Sequence, residues 1–187
     1  MEALDIEHLI EALLFVADGP VIMDDLARAL DCEMAVMERA VTRLLDHLQQ
    51  RGLRIVRLGP RVQMVTAPEA SGYIERFLGI SNMARLSAAA LETLAVIAYR
   101  QPITRAQIEA IRGVNSDAVL RTLVARSLVA QIGRLEQAGR PILFGTTLDF
   151  LQYLGIQSLD ELPNLPEFEA YAGDAQTKPS RISPEDG

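Results

Sequence analysis

Two prolines, Pro20 and Pro102, stand 82 residues apart, and the same succession of patterns leads up to and away from each. From His8 to Ala17 the apolar residues Leu9, Ile10, Leu13, Leu14 and Val16 recur at helical spacing, and Asp18-Gly19-Pro20 stops that helix. Residues 21–23 form a short extended piece. Asp24 is placed as the cap of a helix running to about Leu30, and Asp31 as the cap of a longer helix carrying Val36, Met37, Ala40, Val41, Leu44, Leu45 and Leu48. After Gly52, two β-like runs over 53–58 and 62–66 flank Gly59-Pro60-Arg61, a hairpin pattern.

The order then begins again. Ser87 caps a helix through Leu91, Leu94, Ala95, Ile97 and Ala98 that ends before Gln101-Pro102. Shifted by the same offset, Leu26 and Val41 fall on Ile108 and Leu123. Thr104 and Gln107 have capping-box spacing for a helix ending at Gly113, and Asn115 or Ser116 starts a third helix through Val119, Leu120, Leu123 and Val124. Strands over 129–134 and 142–145 enclose a turn with Gly139-Arg140-Pro141, and Thr146 or Thr147 opens a last short helix ended by Gly155. Three helices followed by a β-hairpin, twice, predict a mainly α chain with small β-hairpin wings: two tandem winged-helix (helix-turn-helix) domains, 1–80 and 81–162. A short linker is expected over Gly79 to Arg85. Residues 163–187 form an acidic tail, expected to be disordered beyond about Tyr171, where Pro, Glu, Gly and Ser accumulate and periodicity vanishes.

Charge narrows the function. The net is −7, divided as −5 over 1–80, +1 over 81–162 and −3 over the tail, so the long-range field opposes nucleic acid and anionic membrane. A DNA-reading third helix should offer Arg, Lys, Asn or Gln at its front. The first unit instead opens with Asp31 and Glu33 and interleaves Glu38 and Asp46 with Arg39 and Arg43. The second mixes Asn115 and Ser116 with Asp117, although Arg105, Arg112, Arg121, Arg126, Arg134 and Arg140 provide a modest basic surface. The lone cysteine, Cys32, excludes an internal disulfide and a multi-Cys zinc site. The charged N-terminus and lack of a long apolar run argue against a signal peptide or membrane span, so a cytosolic protein is expected.

No residue set nominates an active site. His8 and His47 lack ligands at metal-site spacing, and Cys32 is most simply a small apolar residue in a helix-turn-helix corner. Asp24-Asp25 fits the start of a helix, where acids complement the macrodipole. The Gly139-Arg140-Pro141 stretch lies in a wing, not in a phosphate-binding strand-to-helix loop. No catalytic residue, metal or cofactor is expected. Two rivals remain: a winged-helix DNA-binding transcriptional regulator, and an enzyme whose titratable groups converge unrecognised in a pocket.

The second unit is distinctive residue by residue. Leu86-Ser87-Ala88-Ala89-Ala90-Leu91-Glu92-Thr93-Leu94 runs into Ile97-Ala98-Tyr99-Arg100-Gln101-Pro102-Ile103-Thr104-Arg105, followed by Ile111-Arg112-Gly113-Val114, Gly139-Arg140-Pro141, Gly145-Thr146-Thr147 and Phe150-Leu151. This ordered set closely resembles the segregation and condensation protein B family, over roughly Ile10 to Pro163. Glu11-Ala12-Leu13-Leu14-Phe15 fits the same pattern, while Phe144 stands where a Tyr is expected. The resemblance implies a non-catalytic subunit of a condensin-like complex that acts in chromosome condensation, segregation and partition. Its N-terminal domains homodimerise, and its C-terminal domains grip the central segment of a kleisin, segregation and condensation protein A. The kleisin bridges the heads of a structural-maintenance-of-chromosomes (SMC) ATPase, so DNA is met indirectly or weakly and the protein is cytoplasmic and nucleoid-associated. Candidates for kleisin contact, or for shaping that surface, are Tyr99, Arg100, Gln101, Arg105, Arg112 and Gly113. Leu9, Leu13 and Phe15 mark the first helix as the candidate dimerisation element.

Overall fold

The computed structural model describes residues 5–79 and 86–163, which fall into two compact units: 5–79 with 151–160, and 86–150 with 161–163. The expected linker beyond Gly79 and the tail beyond Pro163 lie outside the described residues.

The first unit opens with α1 (Ile6–Val16), a two-residue strand β1 (Val21–Ile22), α2 (Met23–Ala29) and α3 (Met34–Leu48). Met37, Ala40, Val41, Leu44 and Leu48 recur every three or four residues along α3, so one stripe of that helix faces inward. That stripe joins Ile10 and Leu14 of α1 and Leu26 of α2 in one core. Met37 and Val41 are wholly buried, each contributing about 1.5–3 kcal/mol of transfer free energy. Strands β2 (Leu53–Leu58) and β3 (Arg61–Thr66) pair from Leu53↔Thr66 to Leu58↔Arg61. Only Gly59 and Pro60 form the turn, so Arg61 belongs to the strand. Gly59 supplies the φ of +58° that the first position of such a two-residue hairpin turn requires. β1 adds to the other edge of β3, giving the order β1-β3-β2.

Two expected caps are corrected. The residue before α2 is Ile22, and Asp24 lies inside the first turn, where it complements the helix dipole without capping. Asp31 does not start α3. Its φ of 47° makes it the left-handed corner between α2 and α3, a conformation that a short Asp side chain tolerates, and Glu33 precedes the helix instead. An element that the sequence pattern did not signal follows β3: a 3-10 turn (Pro68–Ala70) leading into α4 (Ser71–Leu78). Eight residues containing a glycine are too short to display a clear apolar period.

The second unit repeats the plan. Its elements are α5 (Ala88–Arg100), β4 (Ile103–Thr104), α6 (Arg105–Arg112), α7 (Asp117–Ala125), β5 (Val129–Arg134), β6 (Ile142–Thr146) and the start of α8 (Leu148–Leu154), which from Leu151 belongs to the first unit and not, as expected, to an unbroken 81–162 domain. Its sheet order, β4-β6-β5, matches that of the first. The caps expected here are present. Ser87 accepts from the Ala90 N–H at 3.2 Å, Thr104 and Gln107 form the reciprocal capping box, Gly113 closes α6 at φ 70°, and Thr147 accepts from the Phe150 N–H at 3.2 Å. α5 packs against α6, α7 and β6, burying Leu94 and Ile97. The chain is thus mainly α, with two small antiparallel wings and the winged-helix order in each half.

Candidate functional site

The sequence candidates of the second unit divide into internal ties and exposed groups. Tyr99 is half-buried, and its hydroxyl donates to the Pro163 carbonyl at 2.8 Å. Arg100 is also half-buried. Gln101 accepts from both the N–H and the hydroxyl of Thr146, so its amide oxygen is occupied within the fold. The Arg112 side chain is only 7% exposed, donating to Ser116 Oγ at 3.0 Å and to Glu92 at 3.0 Å. Ser116 N–H in turn donates to Glu109 at 3.1 Å, which locks the corner between α6 and α7 where Gly113 turns. Gln101 and Arg112 are thus tied within the fold. Arg105 alone among the six lines an open cleft.

That cleft, of 670 Å³, lies between the start of α6, the length of α7 and the second wing. Its floor is apolar, from Leu120 and Val124 on α7 and Ile142 and Phe144 on β6. Four arginines stand on its rim: Arg105, Arg121, Arg134 and Arg140. Asp117, the first residue of α7, accepts from Arg105 at 2.9 Å and from Arg121 at 2.8 Å, so one carboxylate serves both. Among the described residues no carboxylate pairs with Arg134 or Arg140. The sequence showed these arginines only as a diffuse basic surface. Their convergence depends on the wing folding back beside α7, which no local spacing reveals.

The geometry weakens the DNA-reading option at its usual place. Ser116 is buried, the Asn115 side chain accepts from the Asp117 N–H at 3.1 Å, and Asp117 puts a carboxylate at the front of α7. Among the described residues no group of three or more His, Cys, Asp or Glu side chains is placed to hold a metal, and no helix is long and apolar enough to cross a membrane. His47, one of the two histidines, instead pairs with Glu7 at 2.9 Å, and Arg43 donates to the same buried carboxylate.

In the first unit, Leu9 and Leu13 are half-buried, and Leu13 packs on the core, whereas Phe15 is 79% exposed beside an exposed Val16. The unexpected α4 is the more open element. None of its side chains is buried, and Tyr73, Phe77 and Leu78 are exposed, with Arg76 stacked over the Tyr73 ring at 4.8 Å.

The family model described as segregation and condensation complex subunit ScpB matches residues 8–165. A segregation and condensation protein B from Desulforamulus reducens is 47% identical over 161 residues, 85% of this chain and 88% of that protein. Among solved structures, ScpB from Mycobacterium tuberculosis is 38% identical, covering 83% of this chain and 99% of that one, with a TM-score of 0.39. A dimer of the ScpB N-terminal domain complexed with ScpA peptide is 23% identical, covering 38% of this chain and 91% of that one, with a TM-score of 0.36. By the extent of the family match and the identity to its members, this chain belongs to the segregation and condensation protein B family.

Proposed function

We propose that this chain is a non-catalytic accessory subunit of a condensin-like SMC–kleisin complex acting in chromosome condensation, segregation and partition. The first unit homodimerises, and the second docks the central segment of the kleisin, segregation and condensation protein A. The SMC ATPase is reached through that kleisin, and DNA is met through the assembly. The protein works in the cytoplasm, at the nucleoid.

One observation carries this reading beyond family membership: an apolar-floored, arginine-rimmed cleft on a chain of net charge −7. An amphipathic helix can lay its apolar face on Leu120, Val124 and Phe144 while its polar flank meets the rim, the usual helix-in-groove arrangement. For the dimer, a surface that pairs with its own copy needs only one self-complementary patch. The first unit offers two exposed apolar sets, Phe15 with Val16, and Tyr73 with Phe77 and Leu78.

The test is light-scattering chromatography of the full chain, alone and mixed with the kleisin of the same organism, at moderate salt. A dimer that moves into a larger stable complex supports the proposal. A monomer that ignores the kleisin overturns both the dimer and the partner.

A further inference from the structure

We propose, building on the docking reading above, that Arg134 and Arg140 form a receptor at the wing tip for a carboxylate on the docked segment. The cleft thereby selects an amphipathic helix with an acidic side chain placed at that end of its apolar stripe.

Three observations lead there. The first is the distribution of charge: Asp117 already serves Arg105 and Arg121, whereas the two wing arginines have no carboxylate among the described residues, although Glu136 is in the same loop. Two cations on one rim beside an apolar floor favour an incoming anion.

The second is the backbone. Arg140 holds a φ of 38°, a left-handed conformation that a glycine adopts without strain and an arginine does not. The loop enforces it: the Arg140 N–H donates to the Gln137 carbonyl at 2.8 Å, and the Leu135 N–H to the Pro141 carbonyl at 2.9 Å. Arg134 Nη1 donates to the Arg140 carbonyl at 3.2 Å, so one guanidinium braces the backbone that carries the other. An arginine kept where glycine would be easier points to a use for its side chain.

The third is the floor. A phosphate backbone needs cations but gains nothing from Leu120, Val124 and Phe144, whereas the apolar residues of a helix do. That favours a protein segment over duplex DNA.

The experiment measures the affinity of the full chain for the purified full-length kleisin by calorimetry, using wild type, Arg134→Glu, Arg140→Glu and Arg140→Gly, with circular dichroism to verify folding. We expect about a 10-fold loss for Arg140→Gly and about a 100-fold loss for each Glu variant. Reversing one acidic residue to Arg in the kleisin's central segment should restore binding to Arg140→Glu. If a Glu variant fails to fold, Arg140→Gly decides, because it relieves the backbone. Binding within about twofold of wild type by all folded variants would overturn the receptor while leaving kleisin docking intact. Failure of wild type to bind would overturn docking and the receptor together. Loss of duplex DNA binding in the Arg variants, with kleisin binding unchanged, would assign the rim to phosphates and overturn the proposal.

Discussion

The side-chain oxygen of Gln101 accepts two hydrogen bonds from Thr146, one from its backbone N–H at 2.7 Å and one from its hydroxyl at 3.0 Å. It thereby joins the turn after α5 to the end of β6, 45 residues on. Thr146 is only 4% exposed, so truncating Gln101 leaves buried polar groups without a protein partner. Gln101→Ala should lower stability by about 1–3 kcal/mol, seen as a fall in the denaturant midpoint at unchanged slope. Gly145→Ala should act through the same joint, since a Cβ there would stand 2.9 Å from Gln101 Oε1 and 2.8 Å from Ile132 Cδ1.

A pH signature belongs to the first unit. Arg57 grips both oxygens of Glu38, at 2.6 and 2.9 Å, tying α3 to β2. This hydrogen-bonded guanidinium lowers the Glu38 pKa below its ordinary 4.5, partly opposed by desolvation and aided by direct charge attraction. A carboxylate with a depressed folded pKa contributes stability that is complete above the ordinary value and is lost as pH falls through the lowered one. Glu38→Gln should therefore cost a screened ~0.2–1 kcal/mol at neutral pH, and the gap to wild type should close in acid. Parallel urea titrations across pH would reveal the effect, and a gap that widened on acidification would contradict it.

Stability and docking should move in opposite directions at the wing. Arg140→Gly removes the left-handed strain and should stabilise the chain by about 1 kcal/mol while weakening kleisin binding. Calorimetric melting with a binding titration on the same preparation would show both. A variant that lost stability would mean that the conformation carries no strain.

Association should follow α4 or the end of α1. Phe77 is 88% exposed, so Phe77→Ser should leave the melting of an isolated chain within about 0.5 kcal/mol of wild type. If α4 is the self-pairing face, the same change should turn a dimer into a monomer by light scattering. If it does not, Phe15→Ser is the next variant, and a dimer indifferent to both would exclude these exposed apolar sets.

The rival regulator is tested with duplex DNA. Binding by the isolated chain should be undetectable or weak even at low salt. A tight complex whose affinity falls steeply with salt would revive direct readout through the arginine rim.

The elements that were legible in the sequence were those specified locally. The Thr104–Gln107 box, Gly113, the α3 stripe and both hairpins follow from spacing and turn chemistry over a few residues, and the repeat around Pro20 and Pro102 carried the architecture. Misplacement occurred where two acids competed for one role. Asp31 has the side chain of a cap but occupies a corner, because Cys32 N–H returns to the Ala27 carbonyl at 3.0 Å and holds the chain turned there. The cleft was only partly legible, since Arg105, Arg121, Arg134 and Arg140 converge through tertiary pairing of wing and helix. The enclosure of Arg112 was not legible either, because its partners Glu92 and Ser116 lie on other elements.

The two hairpins also differ in how much change they can absorb. In the first, every residue of β2 has a partner in β3 up to the two-residue turn, so a single insertion would shift the register of every pair beyond it. In the second, the pairing jumps from Gln131↔Phe144 to Gly133↔Leu143, leaving Ile132 as an odd residue already absorbed by a bulge. Before that bulge, Phe144 stays in register with Gln131 and, on its other edge, with Ile103. The duplicated architecture thus pairs one hairpin of unbroken register with one whose register is already interrupted.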